Sequence, residues 1–72
     1  MLSIRDLLDQ FEIDGKVVVK SFDDDGNETI LYNDLDIQYA DGDFMDKNIK
    51  YMYPEKNGFE YYIVIEVGEI DV

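Results

Sequence analysis

The stretch Tyr53-Pro54-Glu55-Lys56-Asn57-Gly58-Phe59-Glu60-Tyr61-Tyr62-Ile63-Val64-Ile65-Glu66-Val67 decides the fold. Asn57-Gly58 stands between two β-rich runs, which is the strongest short-range hairpin signal a sequence offers. Beyond the turn, residues 59–67 place Phe59, Tyr61, Ile63, Ile65 and Val67 on one face of a strand and Glu60, Tyr62, Val64 and Glu66 on the other. The first face reads as core and the second as half wet. Before the turn, Ile49, Tyr51 and Tyr53 alternate with Lys50 and Met52, so residues 48–53 read as the other arm, with Pro54 stopping it.

Further out, Val17-Val18-Val19 begins a β-branched run over residues 16–22, and Thr29-Ile30-Leu31-Tyr32 reads as its partner across Asp23-Asp24-Asp25-Gly26-Asn27. Asp-Gly-Asn supplies the turn chemistry of a second hairpin. Residues 33–47 are ambiguous: Leu35, Ile37 and Tyr39 alternate like a short strand, whereas Asp41-Gly42-Asp43 and Phe44-Met45 suggest a turn or one helical turn. At the other end Ile4, Leu7, Leu8 and Phe11 form the i, i+3, i+4, i+7 stripe of an amphipathic helix. Ser3 and Asp6 make a shortened capping box, and Leu2 and Leu7 sit where a hydrophobic staple lies. The helix is predicted to start at Ser3 or Ile4 and to end near Phe11 or Glu12, before Asp14-Gly15. The fold expected is therefore α+β: one N-terminal helix packed on a roughly four-stranded antiparallel sheet built from two hairpins.

Seventy-two residues allow a single domain, 1–72, whose core is small. With no cysteine and no histidine, neither disulfides nor thiolate or imidazole ligands staple it, so packing must hold it. An apolar content of 46% with 14% aromatics is too rich for a disordered acidic tail. The longest apolar runs fall far short of the ~20 residues of a membrane helix. Arg5 and Asp6 within the first helix do not fit a signal peptide, and a cytoplasmic location in a host cell is expected.

The same composition removes most chemistry. Without cysteine or histidine the usual nucleophile and base pairs fail, and Ser3, Ser21 and Thr29 have no base at a recognisable spacing. Carboxylate pairs are too abundant to single one out, and so small a domain offers little cleft, so no enzyme is expected. Asp23, Asp25 and Asn27 around Gly26 resemble part of a calcium loop, but that register puts the first ligand on Ser21 and the bidentate glutamate on Tyr32, between strands instead of helices. A charged hairpin tip is the better reading. No glycine-rich phosphate cradle precedes a helix, so no cofactor and no direct nucleic-acid binding are expected.

Charge is the remaining clue. Eighteen acids against six bases give a net charge of −12, which repels nucleic acid and anionic lipid and favours cationic partners. Between Lys20 and Lys47 stand Asp23, Asp24, Asp25, Glu28, Asp34, Asp36, Asp41, Asp43 and Asp46, with no base among them. Such a strip suits a surface that imitates the DNA backbone, about one charge per ~1.7 Å of duplex. A solvated face with two acidic turns, serving solubility alone, is the competing reading. Of the six tyrosines some must be partly exposed, and Tyr62, beside Glu60 and Glu66, is the first candidate for an interface anchor.

Ser3-Ile4-Arg5-Asp6-Leu7-Leu8 at the start, with Tyr53-Pro54-Glu55 and the strand Tyr61-Tyr62-Ile63-Val64-Ile65-Glu66 at the end, resembles short acidic proteins encoded by phages and prophages of Gram-positive bacteria. Most of these have no assigned function. The resemblance implies host-takeover or counter-defence proteins, anti-CRISPR proteins among them, and carries over no residue role. It leads to the expectation of an inhibitor that occupies a basic, nucleic-acid-binding surface of a host protein. The alternative is an assembly module that forms a homodimer, or pairs with a larger phage protein, through a free sheet edge.

Overall fold

A computed structural model describes residues 2–68. Helix α1 (Ile4–Gln10) is followed by strands β1 (Val17–Phe22) and β2 (Glu28–Asp34), two short 3-10 turns at Ile37–Tyr39 and Asp43–Asp46, and strands β3 (Asn48–Asn57) and β4 (Glu60–Gly68). The α+β class and the two antiparallel hairpins, β1 with β2 and β3 with β4, are as the sequence predicts. The sheet order is β2-β1-β4-β3, however, so the hairpins meet through β1 and β4, which run parallel with Val17 beside Ile63 and Val19 beside Ile65. The sheet is thus mixed, not purely antiparallel. The parallel pair follows from the connection between hairpins: residues 35–47 cross the sheet from the end of β2 to the far end of β3, and a parallel pairing needs a crossover of about a dozen residues or more.

That crossover and α1 cover one face of the sheet. Ile4, Ile37 and Met45 from the cover meet Val17, Val19, Ile65 and Val67 from the sheet, with Leu8, Ile13, Leu31, Phe44 and Ile49 packed around them. The ambiguous segment resolves into turns: the strand-like alternation does not form a strand, and Ile37–Tyr39 is a 3-10 turn that drives Ile37 into the core and leaves Tyr39 83% exposed. Asp36, at φ 58°, makes the left-handed step into that turn, one that aspartate tolerates better than most side chains. The Tyr32 hydroxyl donates to the Leu35 carbonyl and ties the crossover to β2.

Three readings of the strands change. Asn57 pairs with Glu60, so the β3–β4 turn residues are Gly58-Phe59, with Gly58 at φ 67°, the glycine-first pattern of a type II′ turn. Phe59 accordingly stands fully in solvent and Tyr61 is largely exposed, not core. Val64, assigned to the wetter face, is fully buried, as is most of Val18 beside it. Finally, Pro54 does not end β3, which runs on to Asn57. The Ile63 N–H donates to the Lys16 carbonyl at 3.1 Å, toward β1, so Pro54 opposite Ile63 turns its missing donor outward. A proline on an edge strand with its nitrogen facing out costs no ladder bond.

Helix α1 is capped as the sequence predicts. The Asp6 amide donates to Ser3 Oγ at 3.1 Å and the Ser3 amide to Asp6 Oδ2 at 3.2 Å. The helix ends at Gln10, slightly short of the expected Phe11 or Glu12, with Phe11 extended as its C-cap. Ser3 is buried and also forms a bridge to Asn48 at the start of β3. Ser3→Ala should therefore cost about 1–2 kcal/mol, at the upper end for an N-cap, read as a lowered urea midpoint.

Candidate interaction surface

All nine carboxylates between Lys20 and Lys47 are exposed, yet the fold does not lay them in one line. Asp23, Asp24 and Asp25 form the tip of the first hairpin, with Glu28 at its base. Asp34 lies at the other end of β2, roughly 20 Å away at ~3.3 Å per residue. Asp36 opens the crossover, Asp41 lies between its turns, and Asp43 and Asp46 frame the second turn, which packs on α1. The strip therefore runs from the hairpin tip down the outer strand and back over the covering layer.

Each part has its own local chemistry. Asp23 organises the tip: its Oδ1 accepts from the amides of Asp25 at 2.9 Å and Asn27 at 2.8 Å, and its Oδ2 accepts from Asn27 Nδ2 at 3.1 Å. These bonds, the Asn27 amide first, hold the Asp23 carboxyl below its ordinary range. Glu28 meets Lys20 at 2.9 Å, and Asp46 meets Arg5 at 2.7 Å. The Asp46 hydrogen bond raises the Arg5 guanidinium pKa, and Asp41 and Asp9 are near enough to add to it. Asp9 belongs to this acidic layer, and a search for basic-free runs misses it because it stands on the helix, four residues from Arg5. Asp34 accepts from the Leu35 amide at 2.7 Å.

Tyr62 does not join the strip. It sits on the uncovered face of the sheet level with Lys16, whose ammonium lies 5.2 Å from the ring centre, while the acidic tip is at the other end of β1. Its hydroxyl reaches Glu55 Oε2 at 3.4 Å. Lys16 also pairs with Glu60 at 2.8 Å, so this corner is a closed set of charge and ring contacts. Tyr53 on the same face donates to Glu66, which raises the phenol pKa. The uncovered face is thus a mosaic of tyrosines and paired charges over Val18 and Val64, and the sheet cations Lys16 and Lys20 are engaged there.

Asp23 gives the tip a pH dependence. Its carboxyl titrates lower folded than unfolded, so its contribution is complete above the ordinary aspartate value of 3.8 and is lost as pH falls through the lower folded value. The stability gap between the parent chain and Asp23→Ala should be constant from pH 7 to about pH 5 and should narrow as the pH falls from about 4 toward 2. Urea midpoints measured across that range check it.

Among the described residues no helix is long and apolar enough to cross a membrane. Comparison with protein-family models, curated proteins and solved structures finds no match to this chain.

Proposed function

We propose that the chain is a stoichiometric inhibitor that binds a basic, nucleic-acid-binding surface of a host protein in the cytoplasm, without catalysis and without a cofactor. Its origin is then a phage or other mobile element, and its type counter-defence, anti-CRISPR included. The observation that carries this reading is the exposure of all nine carboxylates of the basic-free segment, spread over the hairpin tip, the outer strand and the covering layer. A cationic channel built for duplex or single-stranded nucleic acid presents lysines and arginines on more than one wall, and acids on several sides of a small wedge meet them together. Electrostatic steering makes such association fast and salt-sensitive.

The test is recovery of partners on the tagged chain from host lysate treated with nuclease, eluted by a salt step and separately by added duplex DNA. Elution of one basic nucleic-acid-binding protein by both supports the reading. A partner held through high salt and indifferent to DNA would sink it.

The second reading, an assembly module, is favoured by one observation: apolar side chains such as Phe59, Tyr61 and Met52 stand exposed along the β3–β4 hairpin. Sedimentation showing a micromolar dimer unchanged by salt would put it ahead.

A further inference from the structure

The two outer strands of the sheet are not equivalent. On β3 the Ile49 amide is taken by the Leu2 carbonyl at 2.8 Å, Ser3 bridges Asn48, and Pro54 removes the donor in the middle of the remaining edge. On β2 the outward amides can be assigned from the bonds of its neighbours. The Asp23 amide donates to the Asn27 carbonyl at 3.1 Å, and the Lys16 carbonyl accepts from β4, so odd-numbered residues of β1 face β2 and even-numbered ones face β4. Thr29, opposite Ser21, then faces inward, and the amides of Glu28, Ile30 and Asn33 face outward. Among the described residues no turn, loop or cap hydrogen bond takes these three amides.

This open edge lies inside the segment that contains no base. Glu28 and Asp34 stand at its two ends, Asp23 to Asp25 lie beyond one end and Asp36 beyond the other. A second copy added here, strand against strand, would set these carboxylates against their own kind, and like charges directly opposite are destabilising. A cationic strand meets them with complementary charge at both ends and main-chain bonds between.

We propose that the outer edge of β2 accepts an extended, Lys- or Arg-rich segment of the partner as an added strand. This rests on the charge reading above and specifies how the basic partner is held: the carboxylates select a cationic chain, and the amides of Glu28, Ile30 and Asn33 fix it. The bulge between Val19 and Lys20, where Leu31 falls between the Val19–Tyr32 and Lys20–Ile30 pairs, limits the regular ladder to a short segment. The added strand is therefore short, and charge supplies much of the selection.

The test uses amide hydrogen exchange of the isotopically labelled chain with two synthetic peptides of equal charge, about ten residues each: alternating Lys-Val, which can pair as a strand, and alternating Lys-Pro, which cannot. Lys-Val is expected to slow exchange at Glu28, Ile30 and Asn33 by about tenfold or more, while Lys-Pro perturbs the carboxylates without slowing those amides. Ile30→Pro should abolish the protection but retain Lys-Pro binding; if that variant unfolds, the exchange data on the parent chain decide. Binding of both peptides without protection, or protection at Met52 and Lys56 of β3, overturns the edge assignment and leaves the charge reading standing. Binding of neither overturns both. Protection of the β2 amides that grows with protein concentration and without peptide assigns the edge to a second copy and overturns the cationic-strand proposal.

Discussion

Ile37→Ala is expected to lower the unfolding free energy by about 3 kcal/mol, within the ~2–5 kcal/mol of buried isoleucine truncations. A chain of 72 residues has a total stability of roughly 4–11 kcal/mol, so this one change removes a large share of it. Ile37 is fully buried although it stands on a three-residue 3-10 turn. The turn makes few bonds of its own, so the side chain anchors the crossover to the sheet. The urea midpoint should fall by about 2 M for a slope near 1–2 kcal/mol per M. Tyr39→Ala, two residues away and largely solvated, should stay within about 0.5 kcal/mol of the parent. A loss below about 1 kcal/mol for Ile37→Ala would mean that residues 35–47 do not close the core.

Reversing Asp24 and Asp25 to lysine should weaken binding to a basic partner about 100-fold at low salt, because like charges set across an interface cost several kcal/mol. Asp23 is left in place because it holds the turn together. Two reversals, each worth two charge units, remove a third of the net charge of −12. The effect should shrink as salt shortens the screening length below ~10 Å. Circular dichroism and the urea midpoint should not change, since both side chains are exposed at a hairpin tip. Unchanged affinity in the variant would remove the tip from the interface.

Legibility in the sequence tracked the range of the interactions involved. The cap of α1 and the two hairpins are encoded within a few residues, in Ser3 with Asp6 and in the glycines at 26 and 58. The β1–β4 pairing joins Val17 to Ile63, and alternation reports only which face a residue takes, never which strand lies beside it. Pro54 reads as a strand end in sequence because the register that turns its nitrogen outward is set by β4 and β1. Phe59 reads as strand when Asn57-Gly58 is taken as the turn, and a one-residue offset moves it to the tip. For the acidic strip, sequence gave the membership, whereas the reversal of direction along β2 and the crossover decided how it is distributed. Tyr62 has acidic neighbours in sequence, but the sheet sets it beside Lys16.

The parallel contact at the centre of the sheet also governs when the chain can fold. Each hairpin closes over a short loop, a matter of microseconds, but neither has a complete core alone, because Val17 and Val19 depend on Ile63 and Ile65. Joining them closes a loop of more than forty residues, and such distant contacts slow folding. During synthesis the β1–β2 hairpin therefore emerges with its valines uncovered and waits for β4. Cooperative folding begins only when β4 has left the ribosome, and truncation within β4 removes the core outright.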